Sequence, residues 1–150
     1  MSEAINPSQS SENQIRIPVQ EGLFDFPPDE GQHPALLANS CRHCGKCFFP
    51  KRTFCPDCFE QGELEDIVLD RKGVIYAVTV VHLSSPSGIK APYAYGYVNI
   101  PANKIRILAP FTGASPNSFH AGMEVELVLD TIRTDSKGQH IIGYKFKPLS

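Results

Sequence analysis

The chain is short and nearly neutral, and both properties narrow its function. It has 150 residues, and its 14 basic and 16 acidic side chains give a formal net charge of -2. A doubly wound or (β/α)8 enzyme needs about 200 residues or more, so we expect one ordinary domain or two very small ones. The charge excludes the global positive field of a dedicated nucleic-acid-binding protein and leaves room for a local basic patch only.

The sequence predicts no contact with a membrane. Its apolar runs fall short of the roughly 18 to 20 residues that cross a bilayer. The first residues, MSEAINPSQSSENQ, are polar and lack the basic-then-apolar order of a secretory signal. We therefore predict a soluble, cytoplasmic protein.

The first 40 residues predict a tail followed by an arm. Residues 1–20 have too few apolar side chains to offset the entropy of ordering them, so we predict a flexible tail. Residues 21–40 carry large apolar side chains in a segment that prolines keep from being helical. This segment either packs on its own domain or extends to bind a partner; both alternatives fit the composition, and we predict the partner-binding arm. The side chains concerned are Leu23, Phe24, Phe26, Leu36 and Leu37.

Residues 63–150 have the periodicity of β-strands. Runs rich in β-branched and aromatic residues alternate with turn sequences such as PSG, PAN and SKGQ. No helix-length amphipathic segment separates them, and a small closed antiparallel barrel would remove their exposed edges. We therefore predict a mainly β protein whose C-terminal part is a five-stranded oligonucleotide/oligosaccharide-binding (OB) barrel. The predicted strands are 73–83, 93–100, 104–111, 123–132 and 140–146.

All five cysteines fall in one short segment, which does not suit a disulfide scaffold. Four of them form two Cys-x-x-Cys pairs separated by ten residues. This is the spacing of a zinc ribbon, because each pair forms a knuckle that supplies two thiolates. We predict a ribbon over residues 41–62 with one structural Zn2+ that has no open position for catalysis; iron is the alternative metal. The predicted ligands are Cys41, Cys44, Cys55 and Cys58.

Cys47 is the odd cysteine. Pairing it with Cys44 would shorten the spacer to seven residues, and Phe48 follows it where Gly45 follows Cys44. A glycine suits the tight turn of a knuckle because it accepts a positive φ. Nothing beyond its basic neighbours marks Cys47 as a nucleophile, so we predict a spare thiol.

Cations outnumber acids around the cysteines, with four against Asp57 alone. Cations around a metal site are usually exposed to solvent and balance the negative charge of the metal-bound thiolates. The alternative is a surface that contacts phosphates. The four cations are Arg42, Lys46, Lys51 and Arg52.

The sequence shows no catalytic apparatus. It lacks phosphate-binding, dinucleotide-binding and nucleophile-elbow motifs, and its five histidines have no metal-ligand spacing. We therefore predict no catalytic residue in this chain.

The order of the motifs resembles a known family, the rubredoxin-like zinc-ribbon plus OB-fold proteins that accompany thiolases, long catalogued as a domain of unknown function. In the ribbon the shared motifs are Cys-x2-Cys-Gly, Phe-Pro-Lys-Arg from Phe49 and Cys-Pro-x-Cys. The barrel follows with Gly-x-Ile-Tyr from Gly73, Pro-Tyr from Pro92 and Ala-Gly-Met-x-Val from Ala121. Together they cover about residues 36–146.

The resemblance implies a non-catalytic subunit of a thiolase or acyltransferase complex. In that family the thiolase supplies the catalytic residues, while the small protein supports the hetero-oligomer and helps to hold coenzyme A or acyl-CoA. Carried over, it implies that the four cations contact coenzyme A phosphates and that the chain serves toluene degradation through benzoylsuccinyl-CoA. The chain departs from the family in its extra Cys47, in Lys51, where a second proline is common, and in 21–40, where many members are helical.

Functions of two other classes remain open. An autonomous module could bind single-stranded nucleic acid, because OB barrels commonly stack bases on aromatic side chains, although a net charge of -2 gives little attraction. Three of the tyrosines concerned share a strand face, which suits a barrel core or a subunit interface equally. The other class is an electron carrier with iron at the four cysteines. The candidate stacking residues are Tyr76, Tyr93, Tyr95 and Tyr97.

Overall fold

The structure, a computed structural model, describes residues 16–25, 34–84, 86 and 89–149. Within these residues the chain forms nine β-strands and two short 3-10 turns. None of the described segments is a helix long and apolar enough to span a membrane. The strands are β1 (Arg16–Pro18), β2 (Leu37–Cys41), β3 (Cys47–Phe48), β4 (Leu64–Val68), β5 (Lys72–Val81), β6 (Tyr93–Ile100), β7 (Ile105–Phe111), β8 (Glu124–Thr134) and β9 (His140–Pro148).

Strands β5 to β9 close into a barrel. Antiparallel ladders join β5 to β6, β6 to β7, β5 to β8 and β8 to β9. Strands β7 and β9 meet in parallel where Phe111 pairs with Phe146. The predicted mainly β fold, with a five-stranded OB barrel after an N-terminal ribbon, is confirmed, and the predicted strand ends agree with the observed ones to within two residues.

Alternate residues of each barrel strand build the core. Along β6, Ala94, Val98 and Ile100 are buried, whereas Tyr97 is 45% exposed. This alternation follows from the pleat of a strand, which directs successive side chains to opposite faces. The β6 tyrosines therefore lie on the outer face of the barrel and not in its core.

The described part of the predicted partner-binding arm packs on the chain itself. Leu23, Phe24 and Leu36 are buried in the same core as the barrel. Phe24 forms an antiparallel bridge with Leu36, and the Leu37 N–H donates to the Leu23 carbonyl at 2.8 Å. These contacts favour packing in cis for the described residues, while Phe26 and the rest of 26–33 lie outside them.

The end of the predicted tail belongs to the barrel sheet. Strand β1 pairs in parallel with β9, and the Val19 N–H donates to the Ile142 carbonyl at 2.6 Å. A sheet edge supplies these hydrogen-bond partners, which the composition of the tail alone does not reveal. Residues 1–15 of the predicted tail lie outside the described residues.

The ribbon has its own three-stranded sheet in the order β3-β2-β4. Asn39 on β2 is the one buried polar side chain among the described residues. Its amide donates to the Arg52 carbonyl at 2.8 Å and accepts from the Arg52 N–H at 3.2 Å. These two bonds hold the loop between the cysteine pairs against the sheet, which extends on both sides of the predicted span 41–62.

Candidate metal centre and the surrounding surface

The fold brings together the four cysteines predicted as ligands. Their Sγ atoms all lie within 4.8 Å of one another, and the Sγ atoms of Cys44 and Cys55 are 3.7 Å apart. Zinc–thiolate bonds of about 2.3 Å in a tetrahedron place neighbouring sulfurs about 3.8 Å apart. The donor set of Cys41, Cys44, Cys55 and Cys58 therefore fits a four-coordinate metal ion.

The first knuckle has the turn that its sequence predicts. Gly45 has a φ of 83°, and its N–H donates to the Cys41 carbonyl at 2.7 Å. The Cys41 N–H in turn donates to the Lys46 carbonyl at 2.9 Å. Residues with a side chain rarely adopt this φ, so the glycine after the first pair is a requirement of the turn.

The second knuckle repeats this geometry without a glycine. The Phe59 N–H donates to the Cys55 carbonyl at 2.8 Å, and Phe59 has a φ of 50°. Left-handed backbone costs a non-glycine residue about 1–2 kcal/mol. The Phe59 ring stacks on Phe54, with 6.0 Å between centroids, and this contact offsets part of that cost. Sequence reasoning missed this turn, because a phenylalanine predicts extended backbone.

Gly62 is a site residue that sequence reasoning missed. A Cβ at this position would lie 2.8 Å from the Cβ of Cys55 and 3.3 Å from the Sγ of Cys41. Only glycine therefore lets the chain pass this close behind the sulfurs. A glycine in a polar loop suggests a turn, so its role was visible only once the cysteines were placed.

The thiols differ in how readily they ionise. The backbone N–H of Cys44 lowers the pKa of the Cys41 thiol to about 6. Desolvation raises the pKa of the Cys58 thiol to about 12. At neutral pH Cys41 is thus ready to bind a cation as a thiolate, whereas Cys58 has to release its proton when the cation arrives.

Cys47 lies outside the group of four sulfurs. It sits on β3, is half-buried, and lines an open groove of about 690 Å³ between the first knuckle and the turn that joins β6 to β7. Lys46 lines the groove from the ribbon, and Lys104 and Arg106 line it from the barrel. These two barrel cations were missed because they lie far from the cysteines in sequence.

Two of the predicted phosphate-binding cations on the ribbon pair with acids on strand β4 or directly before it. Arg42 lies 3.2 Å from Glu63 and 3.5 Å from Glu65, and Lys51 lies 3.3 Å from Asp66. Such exposed pairs contribute little to stability, but they neutralise the cations locally. The count of charges around the cysteines omitted these acids, because only the pairing of β2 with β4 brings them close.

The other two predicted cations differ from each other. Lys46 forms an ion pair with Asp57, whose carboxylate raises the pKa of the lysine. The Arg52 guanidinium lies 5.7 Å from the centroid of the Phe48 ring and has no carboxylate partner among the described residues. Arg52 is thus the predicted cation whose charge is least compensated.

The fold and the four-cysteine site define a zinc ribbon followed by an OB barrel. Residues 28–65 match the family model of the ChsH2 rubredoxin-like zinc ribbon domain, and residues 67–130 match that of the ChsH2 C-terminal OB-fold domain. The chain belongs to this ChsH2-type family, also described by the domain name DUF35. The resemblance noted in the sequence is confirmed.

Individual relatives share most of their length with this chain. The benzoylsuccinyl-CoA thiolase subunit BbsA of Thauera aromatica is 38% identical over 122 residues, which is 81% of this chain and 82% of that protein. A DUF35 domain-containing scaffold protein of Methanocaldococcus jannaschii is 35% identical over 116 residues, which is 76% of this chain and 82% of that protein. A solved structure described as "Ltp2-ChsH2(DUF35) aldolase" superposes with a TM-score of 0.62 at 21% identity, covering 77% of this chain and 86% of that one. At that identity the superposition shows the fold.

Proposed function

We propose that this chain is the non-catalytic subunit of a thiolase or related acyl-CoA transferase complex. The observation that carries the proposal is 38% identity, over 81% of the chain, to a protein named as a thiolase subunit. A second relative is named as a scaffold protein, which fits a role in holding other chains together. The partner in this proposal is a thiolase-type catalytic subunit in a hetero-oligomer.

The chemistry of the cysteine site supports a structural role. We propose one Zn2+ held by Cys41, Cys44, Cys55 and Cys58. Four thiolates leave no open position for water, so the bound ion would supply folding free energy to the ribbon and no catalysis. The nucleophile and acid–base groups for carbon–carbon cleavage then lie on the partner. Reduced cysteines of this kind fit the cytoplasm, where we place the complex.

Coenzyme A is the ligand that we propose for the cationic surface of the ribbon. Arg52 is the strongest candidate for a phosphate contact, because a planar guanidinium binds phosphate oxygens in pairs and no described carboxylate competes for it. Arg42, Lys46 and Lys51 would first have to exchange a carboxylate for a phosphate, so they contribute less. Lys104 and Arg106 extend the cationic surface across the groove beside Lys46.

The acyl group follows from the name of the Thauera relative. We propose benzoylsuccinyl-CoA, and with it a place in toluene degradation, because that relative is named for this substrate. The complex would cleave the substrate with coenzyme A or run the reverse condensation.

Isolation of the native complex tests the proposal. The chain, tagged and expressed at its natural level, should co-purify with a thiolase-sized protein that mass spectrometry identifies. The purified pair should cleave benzoylsuccinyl-CoA in the presence of coenzyme A, whereas neither chain alone should do so at a comparable rate. A stable monomer without such a companion would reject the proposal, and activity on another acyl-CoA alone would reject only the substrate.

A further inference from the structure

The outer surface of strands β5, β6 and β7 carries one continuous patch of uncharged side chains. Register places Thr79, Tyr95 and Pro110 side by side across the three strands, and Tyr97 beside Leu108. Tyr97 and Leu108 are 45% and 47% exposed. We call this patch the tyrosine face. Its members are Thr79, Tyr93, Tyr95, Tyr97, Leu108 and Pro110.

The tyrosine face has the composition of an interface centre. Such centres are depleted in charge and enriched in tyrosine, because aromatic side chains bury much area and lose little conformational entropy. The Tyr93 and Tyr95 rings lie 6.4 Å apart and border an open groove of about 570 Å³ that Val81 and Tyr144 also line. Exposed surfaces of this composition are typical of sites of protein interaction.

Both ends of the tyrosine face are basic. At one end a β-bulge between Ile75 and Ala77 leaves Tyr76 exposed on the surface, and the Arg106 guanidinium lies 3.4 Å from its ring centroid. At the other end the Lys90 side chain is exposed shortly before β6 begins. A complementary surface is therefore apolar at its centre and acidic at its margins.

The edge of β5 next to this patch is a second, independent observation. Strand β8 pairs with β5 only at Lys72–Val74, and no other described strand covers the outer edge of Ala77–Val81. Exposed edges in soluble proteins are usually protected by lysine, proline or a charge, and the sequence AVTVV has none of these. An unprotected edge such as that of Ala77–Val81 is typical of a strand that a binding partner covers.

We infer that the tyrosine face and the adjoining edge of β5 form the docking surface for the catalytic subunit. The identity of that partner rests on the proposed function; the location rests on the contacts above. A single strand of nucleic acid would need cations interleaved with its stacking residues. The six residues of the tyrosine face carry no charge, so the surface favours a protein.

Binding measurements on the purified companion from the native complex test the location. Tyr97→Asp and Leu108→Asp each place a charge in the tyrosine face and should raise the dissociation constant by about tenfold or more. Val68→Asp is the matched control, because Val68 is an apolar side chain of β4 that is 56% exposed on the ribbon. It should leave the dissociation constant unchanged, and all three variants should keep the bound metal and the melting temperature.

Hydrogen exchange provides a readout that needs no variant. The N–H groups on the outer edge of Ala77–Val81 should exchange more slowly in the complex than in the free chain. A companion that binds both tyrosine-face variants normally, without added protection of this edge, would overturn the location and leave the proposed function intact.

Other occupants would also overturn the inference. If no thiolase-sized companion exists, the proposed function fails, and the isolated chain can be tested directly. A dimer of this chain that Tyr97→Asp dissociates would identify a second copy as the occupant. Salt-sensitive binding of a short oligonucleotide that Tyr97→Asp abolishes would identify nucleic acid.

Discussion

The hydroxyl of Tyr144 on β9 donates a hydrogen bond of 3.0 Å to the backbone carbonyl of Leu108 on β7. In the described chain these two strands pair where Phe111 meets Phe146, so the side-chain bond spans the seam at which the barrel closes. The Phe49 ring, from the loop of the ribbon, meets the Tyr144 ring edge-on with 5.4 Å between centroids. One side chain thus joins the seam of the barrel to the ribbon.

Removing the hydroxyl of Tyr144 should weaken this junction. Tyr144→Phe leaves the Leu108 carbonyl without its donor, which should lower the free energy of unfolding by about 1 kcal/mol. Urea unfolding measures the change. Tyr97→Phe, which removes the hydroxyl of an exposed tyrosine, is the control and should have little effect. Equal stability of Tyr144→Phe and the natural protein would contradict this role.

Ionisation of the same Tyr144 hydroxyl should lower the stability of the folded protein at high pH. Burial raises the pKa of Tyr144 above its ordinary value of 10.0. The folded chain therefore holds this proton more tightly than the unfolded chain, so the contribution is complete below about pH 10 and is lost as the pH rises further. The unfolding free energy of Tyr144→Phe should therefore fall less steeply above about pH 10 than that of the natural protein. If the two proteins lost stability in parallel as the pH rises, Tyr144 would not be the group responsible.

Serine substitutions distinguish the four predicted ligands from the predicted spare thiol. Cys58→Ser should abolish stoichiometric metal binding and unfold the ribbon, because three thiolates hold the ion poorly and the ribbon has little core of its own. Cys47→Ser should keep one ion per chain. Metal analysis and amide exchange of β2 and β4 measure both effects. Loss of metal in Cys47→Ser would make Cys47 a ligand, and iron with a reversible redox couple would support the electron carrier instead.

Metal affinity should rise with pH near neutrality. Cys58, with a pKa of about 12 in the metal-free site, must lose a proton on binding. Each proton released makes the affinity tenfold higher per pH unit, so we expect a slope of at least about tenfold. Below about pH 6 the Cys41 thiolate is also protonated, and the slope should steepen. Competition with a chelator of known affinity, at pH values from about 5.5 to about 8 in steps of about half a unit, would measure this slope. A flat profile would contradict the four-thiolate site.

Replacement of Arg52 tests the proposed contact with coenzyme A. Hydrogen bonds to charged groups contribute about 1.5–3 kcal/mol, so Arg52→Ala should raise the apparent KM for coenzyme A about tenfold or more with kcat unchanged. Lys51→Ala is the matched control, because Lys51 already pairs with Asp66, and it should have a smaller effect. An unchanged KM in Arg52→Ala would remove this residue from the proposal.

The barrel strands and the four-cysteine site could be predicted, because each depends on a short stretch of sequence. Runs rich in β-branched and aromatic residues, bounded by turn sequences, predicted all five barrel strands, because strand preference and turn chemistry are both local properties of the sequence. The spacing of the cysteines identified the four sulfurs that converge, and Gly45 indicated the first turn.

The rest depended on contacts between segments distant in sequence. The acids that neutralise Arg42 and Lys51 lie on β4 or directly before it, and no charge count around the cysteines included them. The left-handed Phe59 is imposed by the second knuckle against the preference of its own side chain. The burial of Leu23 and Phe24 was undecided in the sequence, because an apolar segment suits a core and a partner equally.

Isolation of the native complex tests the central claim most directly. Co-purification at natural expression levels, followed by mass spectrometry and an assay of the isolated pair, determines whether the chain is an accessory subunit of an acyl-CoA enzyme. The account predicts a thiolase-type companion in fixed stoichiometry whose coenzyme A-dependent activity requires this chain. A stable chain that recovers no such companion, and that changes the activity of no thiolase, would contradict it.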